Sequence, residues 1–447
     1  YQRNHIIERF DLEGTYDVEL MSNHLMGYIR ISSIDITPST PGVDELPYPW
    51  QGVYFKGVPI EIHAIPLPGY RFSHWEGATN STSNSITLTP NDDIALNAHF
   101  TWSDEPTIVH YWLFDTNLPN DLPLSSIASS YSASSHATLS YTSCLSGYPF
   151  SIDHPQWRQA SMERVNSPTP INYHPEANEA KSYSEVDMRG IQIKGPFTDN
   201  EATSYLSLSL PTKGFTDIVL SFAARNEGYG SSISIEYSTD RDNSVWSDSG
   251  LSANIHLSDE YKLISIDFSA IQSADNNPFF AVRLKPRNLH PNHLGRVEFN
   301  NICLSGLALP AYTISSTAGN NGAISPSGLT PAYQGDSKNF VIAPDEGYQV
   351  YDIQLDGVSR MKEISIPRKD SLIFTIPRVE TDHCLHVEFI NVFRDDNQSL
   401  VVFPNPATQN VTLSSQHLIL SVKLVNILGR LAYTQNTNTY IHTMDIS

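Results

Sequence analysis

Ile218-Val219-Leu220-Ser221-Phe222-Ala223, followed by Ile235-Glu236-Tyr237-Ser238-Thr239-Asp240, is the stretch that decides the fold of this chain. The first run is short, apolar and rich in β-branched and aromatic residues; the second alternates apolar and polar residues and runs into turn formers. Runs of the same character occur at 206–210, 232–237, 261–268, 279–284 and 297–304. Between them stand Pro211-Thr212-Lys213-Gly214, Asn226-Glu227-Gly228, Thr239-Asp240-Arg241-Asp242-Asn243 and Asp275-Asn276-Asn277-Pro278. These are the residues that favour tight turns. Strands at this spacing predict a two-sheet sandwich over 104–310, opened by the aromatic strand Ile108-Val109-His110-Tyr111-Trp112-Leu113-Phe114. A unit of roughly 200 residues buries about 70% of its unfolded surface, enough for a core of its own.

Composition extends the all-β reading to the whole chain. The sequence has 447 residues, a net charge of −21 and only 17% charged residues. Its abundant Ser, Thr, Asn, Tyr and Pro suit strands and turns. An acidic chain with thinly spread charge is not expected to bind nucleic acid or an anionic membrane. No apolar run reaches the roughly 20 residues of a transmembrane helix. Cys144, Cys303 and Cys384 are widely separated; they read either as free thiols or as one Cys144–Cys303 bridge with a free thiol left over.

An internal repeat brackets the sandwich. The first copy contains Gly27-Tyr28-Ile29, Phe55-Lys56-Gly57, Gly69-Tyr70-Arg71-Phe72, Trp75-Glu76-Gly77 and Asn97-Ala98-His99-Phe100. The second contains Gly322-Ala323-Ile324, Tyr333-Gln334-Gly335, Gly347-Tyr348-Gln349-Val350, Leu355-Asp356-Gly357 and His386-Val387-Glu388-Phe389. Both keep the order Gly-x-Ile, aromatic-x-Gly, Gly-Tyr-x-apolar, a Gly turn and a closing strand ending in Phe. The module resembles the internalin B-repeat family of small extracellular β domains, which implies a spacer or adhesive arm without chemistry. The sandwich resembles jelly-roll domains of secreted Bacteroidota proteins, several of them carbohydrate-binding-like, on the 218–223 and 235–240 runs quoted above.

At the C-terminus, Val402-Phe403-Pro404-Asn405-Pro406-Ala407, Val411-Thr412-Leu413 and Val422-Lys423-Leu424-Val425-Asn426-Ile427-Leu428-Gly429-Arg430 form a Pro-locked extended start, an alternating strand and a Gly-broken apolar strand. This resembles the C-terminal sorting domain of type IX secretion in Bacteroidota. The resemblance implies the secretion machinery as a partner and an extracellular or outer-membrane-surface location. Such domains finish with a Gly-x-Tyr strand, whereas this sequence stops at Asp445-Ile446-Ser447 and begins at Tyr1, so a fragment of a longer chain is expected. At the other end, Asn4-His5-Ile6-Ile7-Glu8-Arg9-Phe10 reads as one or two helical turns. With Pro49-Trp50-Gln51-Gly52-Val53-Tyr54-Phe55 it resembles the last segment of CotH-like atypical kinase domains and the β module that follows them. Any kinase chemistry implied by that resemblance would reside upstream of Tyr1. The domains expected are therefore the tail of an upstream domain at 1–22, a B-repeat-like module at 23–103, the jelly-roll-like sandwich at 104–310, a second module at 311–392 and a truncated sorting domain at 398–447.

Catalytic residues are not expected. None of the 16 His falls in a Ser/His/Asp arrangement with a nucleophile elbow, no pair of carboxylates stands out, and no zinc spacing occurs. Binding is the better prospect. Trp157 with Arg158, Trp246 and Tyr229 are candidates for gripping a sugar, because a flat aromatic matches the apolar C–H face of the ring and polar neighbours match its rim; packing under loops is the competing reading. Asp240, Asp242 and Asn243, with Asp275 and Asn277, present oxygen donors that suit calcium, although the turn reading of the same residues is favoured. Arg164 and Arg189 are expected to form buried Arg–Glu pairs that hold a long crossing segment. The function expected is a non-catalytic extracellular binding or adhesion region whose ligand is a glycan or a surface glycoprotein. The alternatives are the accessory region of a CotH-like kinase and a purely structural stalk.

Overall fold

The computed structural model describes residues 2–10, 12–133, 135–178, 181–228, 231–252, 254–288, 295–363, 370–391, 401–403, 409–425 and 430–445. Their regular elements are one helix, Gln2–Phe10, three single 3-10 turns and otherwise strands. The chain divides into two units, Tyr1–Ala311 and Tyr312–Ser447. Among the described residues no helix is long and apolar enough to cross a membrane.

The first unit begins with a small module of two four-stranded sheets. One sheet runs in the order Trp50–Phe55, Thr15–Ser22, Ile94–Trp102, Tyr70–Gly77, with Thr15–Ser22 and Ile94–Trp102 parallel and the remaining pairs antiparallel. The other runs Ile34–Asp35, Gly27–Ile31, Ile60–Pro66, Ser85–Leu88. Alternation dictates which side chains meet: Tyr16, Val18 and Leu20 turn inward against Ile29, Ile31, Ile62 and Trp75, while Asp17 and Met21 face out. Thr15–Ser22 pairs with Trp50–Phe55 on one side and Ile94–Trp102 on the other.

The second repeat copy has the same topology. Ala311–Ala318 lies parallel to His383–Asn391 inside the order Gly328–Tyr333, Ala311–Ala318, His383–Asn391, Tyr348–Leu355, Val358–Ser359. Gly322–Ser325, Lys338–Pro344 and Leu372–Ile376 form the facing sheet. One detail explains two elements of the repeat signature. A Cβ added to Gly27 would lie 2.4 Å from the Phe100 ring, and one added to Gly322 would lie 2.4 Å from the Phe389 ring. The glycine of Gly-x-Ile is required because the closing Phe packs directly on its backbone. Gly27→Val and Gly322→Val are each expected to destabilise their module by about 1–3 kcal/mol through overpacking. Part should be recovered in Gly27→Val/Phe100→Leu, as read by urea unfolding; full-strength stability in the single variants would refute the contact's importance.

The large sandwich is antiparallel throughout, as expected of the jelly-roll-like fold class. A six-stranded sheet has the order Ser126–Ala128, Thr138–Thr142, Tyr205–Ser209, Ala281–Asn288, Ser231–Ser238, Ile255–His256. The facing seven-stranded sheet is built around the long strand Arg296–Ala308. That strand pairs along one edge with Phe215–Glu227, and along the other with Gly190–Lys194 and Thr107–Trp112 in succession. Leu139, Leu206, Leu208, Val282, Leu284, Ile233 and Ile235 from one sheet meet Val109, Trp112, Ile191, Ile193, Leu220, Phe222 and Phe299 from the other, all buried. Cys144 and Cys303 are buried and free, and Cys384 is exposed and free.

In the second unit Val401–Phe403, Asn410–Val425 and Leu431–Asp445 form an antiparallel sheet. Pro404-Asn405-Pro406 and Asn426-Ile427-Leu428-Gly429 lie outside the described residues.

Candidate functional site

The sequence-selected residues separate onto the two sheets of the sandwich. Trp157 and Arg158 sit in the loop before Met162–Val165, at the outer side of the seven-stranded sheet. Arg158 stacks its guanidinium 5.4 Å from the Trp157 ring centroid and is committed to carboxylates: Asp121 at 2.9 Å, and Glu163 through Nε at 2.7 Å. Glu163 is fully buried and also accepts bonds from the Ser161 hydroxyl at 2.7 Å and Lys194 Nζ at 3.0 Å. Burial alone would raise the Glu163 pKa; the hydrogen bonds from Arg158, Ser161 and Lys194, with the Lys194 charge, outweigh it and hold the carboxyl below its ordinary value.

Register explains why this network forms. Glu163 stands opposite Gln192, Gln192 opposite Glu298, and Glu298 opposite Arg225, which puts all four on the face away from the core. Glu298, also fully buried, accepts from Arg225 Nε at 2.9 Å and the Tyr261 hydroxyl at 2.8 Å and pairs with Arg296. Arg296 pairs in turn with Glu227. A cleft of about 460 Å³ opens beside Arg158, Lys194, Glu227 and Arg296. Its cations are matched by carboxylates already in place, so it is a structural seam. The expectation of Arg–Glu pairs at Arg164 and Arg189 is corrected here. Arg164 donates to the carbonyls of Thr116 and Leu118, and Arg189 to those of Val186 and Met188, while Arg158 and Arg225 make the carboxylate pairs.

Trp246 lies on the outward face of the six-stranded sheet. A two-way backbone bridge between Ser247 and Tyr237 fixes its loop against the Ser231–Ser238 strand, and the indole Nε1 donates to the Asn243 carbonyl at 2.7 Å. Arg283, on the next strand, lies between two rings, 3.7 Å from the Trp246 centroid and 4.5 Å from that of Tyr205. Beside it Lys285 pairs with Glu236 at 2.5 Å. The result is a half-buried platform of two aromatics, a clamped guanidinium, an ion pair and the flanking hydroxyls of Ser140, Ser207 and Ser234. Arg283, Tyr205, Lys285 and Glu236 were not singled out in the sequence. Their signal was the strict alternation Ala281-Val282-Arg283-Leu284-Lys285, which puts both cations on one face.

Tyr229 lies outside the described residues. The two oxygen-rich loops do come together, since Asn277 Nδ2 donates to the Thr239 carbonyl at 2.9 Å. Asp240, Asp275 and Asn277 accept from nearby backbone N–H groups and hydroxyls, whereas the buried Asn243 Oδ1 has no hydrogen-bond partner among the described residues. Asp240 accepts from the Ser238 hydroxyl and from the backbone and hydroxyl of Ser244, which hold its carboxyl well below the usual range. Asp275 accepts from the Asp217 N–H, with burial raising its pKa, and Asn277 accepts from the Phe279 N–H. Asp242 is exposed, and Asn243 adopts a left-handed φ of 47°. These are the contacts of tight turns. Among the described residues no three His, Cys, Asp or Glu side chains converge on one point.

Comparison with known proteins bears on the ends of the chain. Residues 36–104 match the divergent InlB B-repeat domain, the family expected from the repeat. Residues 401–447 match the secretion system C-terminal sorting domain. The protein is secreted and belongs at the cell surface. No curated protein matches. Among solved structures, a family 29 carbohydrate-binding module is similar at 20% identity, covering 26% of this chain and 70% of that one, with a TM-score of 0.19. A mutant of such a module complexed with mannohexaose is similar at 19% identity over 28% of this chain and 73% of that one, with a TM-score of 0.19. Overlap this slight carries no argument about fold or ligand.

Proposed function

We propose that the sandwich is the binding module of a secreted surface protein, that its ligand is a glycan, and that the ligand face is the outward side of the six-stranded sheet. The observation that carries this reading is the Tyr205–Arg283–Trp246 stack, presented among serine hydroxyls on a sheet face. Aromatic rings offer an apolar surface to sugar C–H groups, and the guanidinium, ammonium and hydroxyl donors suit the hydroxyl rim. The flanking B-repeat modules then act as spacers that carry the sandwich, and the sorting domain delivers it. The kinase-accessory reading rests on a short N-terminal resemblance, and none of the matches reported supports it.

The full chain on a glycan and glycoprotein array, with calcium and with EDTA, tests the proposal. Trp246→Ala is expected to weaken binding by about tenfold or more, the equivalent of 1.4 kcal/mol. Trp157→Ala should leave it within about twofold, because its partner Arg158 is committed to Glu163 and Asp121. Silence across the array in both conditions would leave the sandwich as a structural stalk. Equal losses for the two variants would move the site away from this face.

A further inference from the structure

The Ala281–Asn288 strand turns three consecutive outward positions into cations: Arg283, Lys285 and Arg287. Alternate residues of a strand stand about 6.6–6.8 Å apart, so the three form a straight basic ridge across the platform. The outward positions of the flanking strands carry one carboxylate, Glu236, and it is already bound to Lys285. On the strands of this face three cations thus stand against one carboxylate, in a chain whose net charge is −21. Arg283 is the sharpest case. It is half-buried, its Nε is buried without a hydrogen-bond partner, and among the described residues no carboxylate pairs with its guanidinium. Burying a cation without a counter-charge is costly. Stacking between two rings satisfies the faces of the guanidinium while leaving its in-plane donors for a partner of matching shape. Contrast the other sheet, where Arg158, Lys194, Arg225 and Arg296 all have a carboxylate.

From this charge asymmetry we infer that the platform selects a carboxylate-bearing polysaccharide, a polyuronate, over neutral glycans. The inference rests on the glycan reading above. A carboxylate on one sugar accepts two parallel bonds from Arg283, as planar fork and planar acceptor allow. The ring carrying it lies against Trp246 and Tyr205, and further carboxylates along the polymer meet Arg287 and the Lys285 side of the ridge. The strand thereby sets the direction of the bound chain.

Polygalacturonate and its fully methyl-esterified form share a backbone and differ in charge, so they are the probes, with dextran sulfate as an indifferent polyanion. Binding of the full chain is read by calorimetry at low and moderate salt. Polygalacturonate is expected to bind about tenfold or more tighter than the ester, a preference of at least 1.4 kcal/mol. Arg283→Lys, which keeps charge and loses the fork, and Arg283→Gln should each remove most of that preference. Arg287→Gln, at an exposed position with no structural partner described, should lower it several-fold and keeps the test open if Arg283 variants fail to fold. Equal binding of acid and ester would overturn the charge inference and keep the glycan reading. Binding of dextran sulfate as tight as polygalacturonate and insensitive to Arg283→Gln would overturn it as generic polyanion attraction. Failure of acid, ester and every array glycan to bind would remove the glycan reading itself.

Discussion

Trp112→Ala is expected to destabilise the sandwich by about 3–5 kcal/mol, the range for deleting a large aromatic from a close-packed core. Trp112 is fully buried among residues from both sheets, and its indole Nε1 donates to the Ile127 carbonyl at 3.1 Å. The substitution therefore opens a cavity and also removes a part-buried hydrogen bond. For a unit of this size the loss corresponds to a drop of roughly 6–20 °C in the melting temperature. Trp112→Phe should recover most of the packing but not the hydrogen bond, leaving a deficit of about 1–2 kcal/mol. A melting temperature unchanged by Trp112→Ala would show that the sheets do not close on one another as described.

The second large effect is expected at Glu163. Removing this carboxylate with Glu163→Ala takes from Arg158 and Lys194 the fully buried acceptor they share. Breaking a buried pair costs about 3–5 kcal/mol when both partners are inaccessible. Here the Arg158 and Lys194 side chains keep 28% and 24% of their surface exposed, so the lower end, about 3 kcal/mol, is expected. Glu163→Gln retains an acceptor for Ser161 and should cost less. The same group imposes a pH dependence. Its folded pKa lies below the unfolded value of about 4.3, so its contribution is fully present above that value and is lost as pH falls through the folded pKa. Stability of the wild type should thus fall more steeply than that of Glu163→Gln below about pH 4. Parallel acid limbs in chemical denaturation would rule out a coupled Glu163.

The seam and the platform show how far local sequence reaches. Alternation along 281–285 carries the signal that puts Arg283 and Lys285 on one face, although neither was singled out, and the aromatic strand 108–114 supplies the buried Trp112. Trp157 and Trp246 looked equivalent as loop aromatics. Only pairing separated them: one meets Arg158 of the carboxylate seam, the other meets Arg283 on the opposite sheet. The oxygen-rich loops at 240–243 and 275–277 read as turns ahead of calcium in the sequence, and the structure adds that Asp240, Asp275 and Asn277 each accept from a backbone N–H.

What the sequence by itself determined was the all-β class, the duplicated module with its Gly27–Phe100 and Gly322–Phe389 signatures, and the sorting domain that sends the protein out of the cell. Each depends on patterns within short windows: period-two alternation, turn residues, and a repeated order of glycines and aromatics. Tertiary structure alone decided which charges are matched and which are free. Glu298 meets Arg225, and Trp246 meets Arg283, across strands remote in the chain. Alternation assigns a residue to a face, but its neighbours on that face come from strand order and register, and those are set by burial of the whole core.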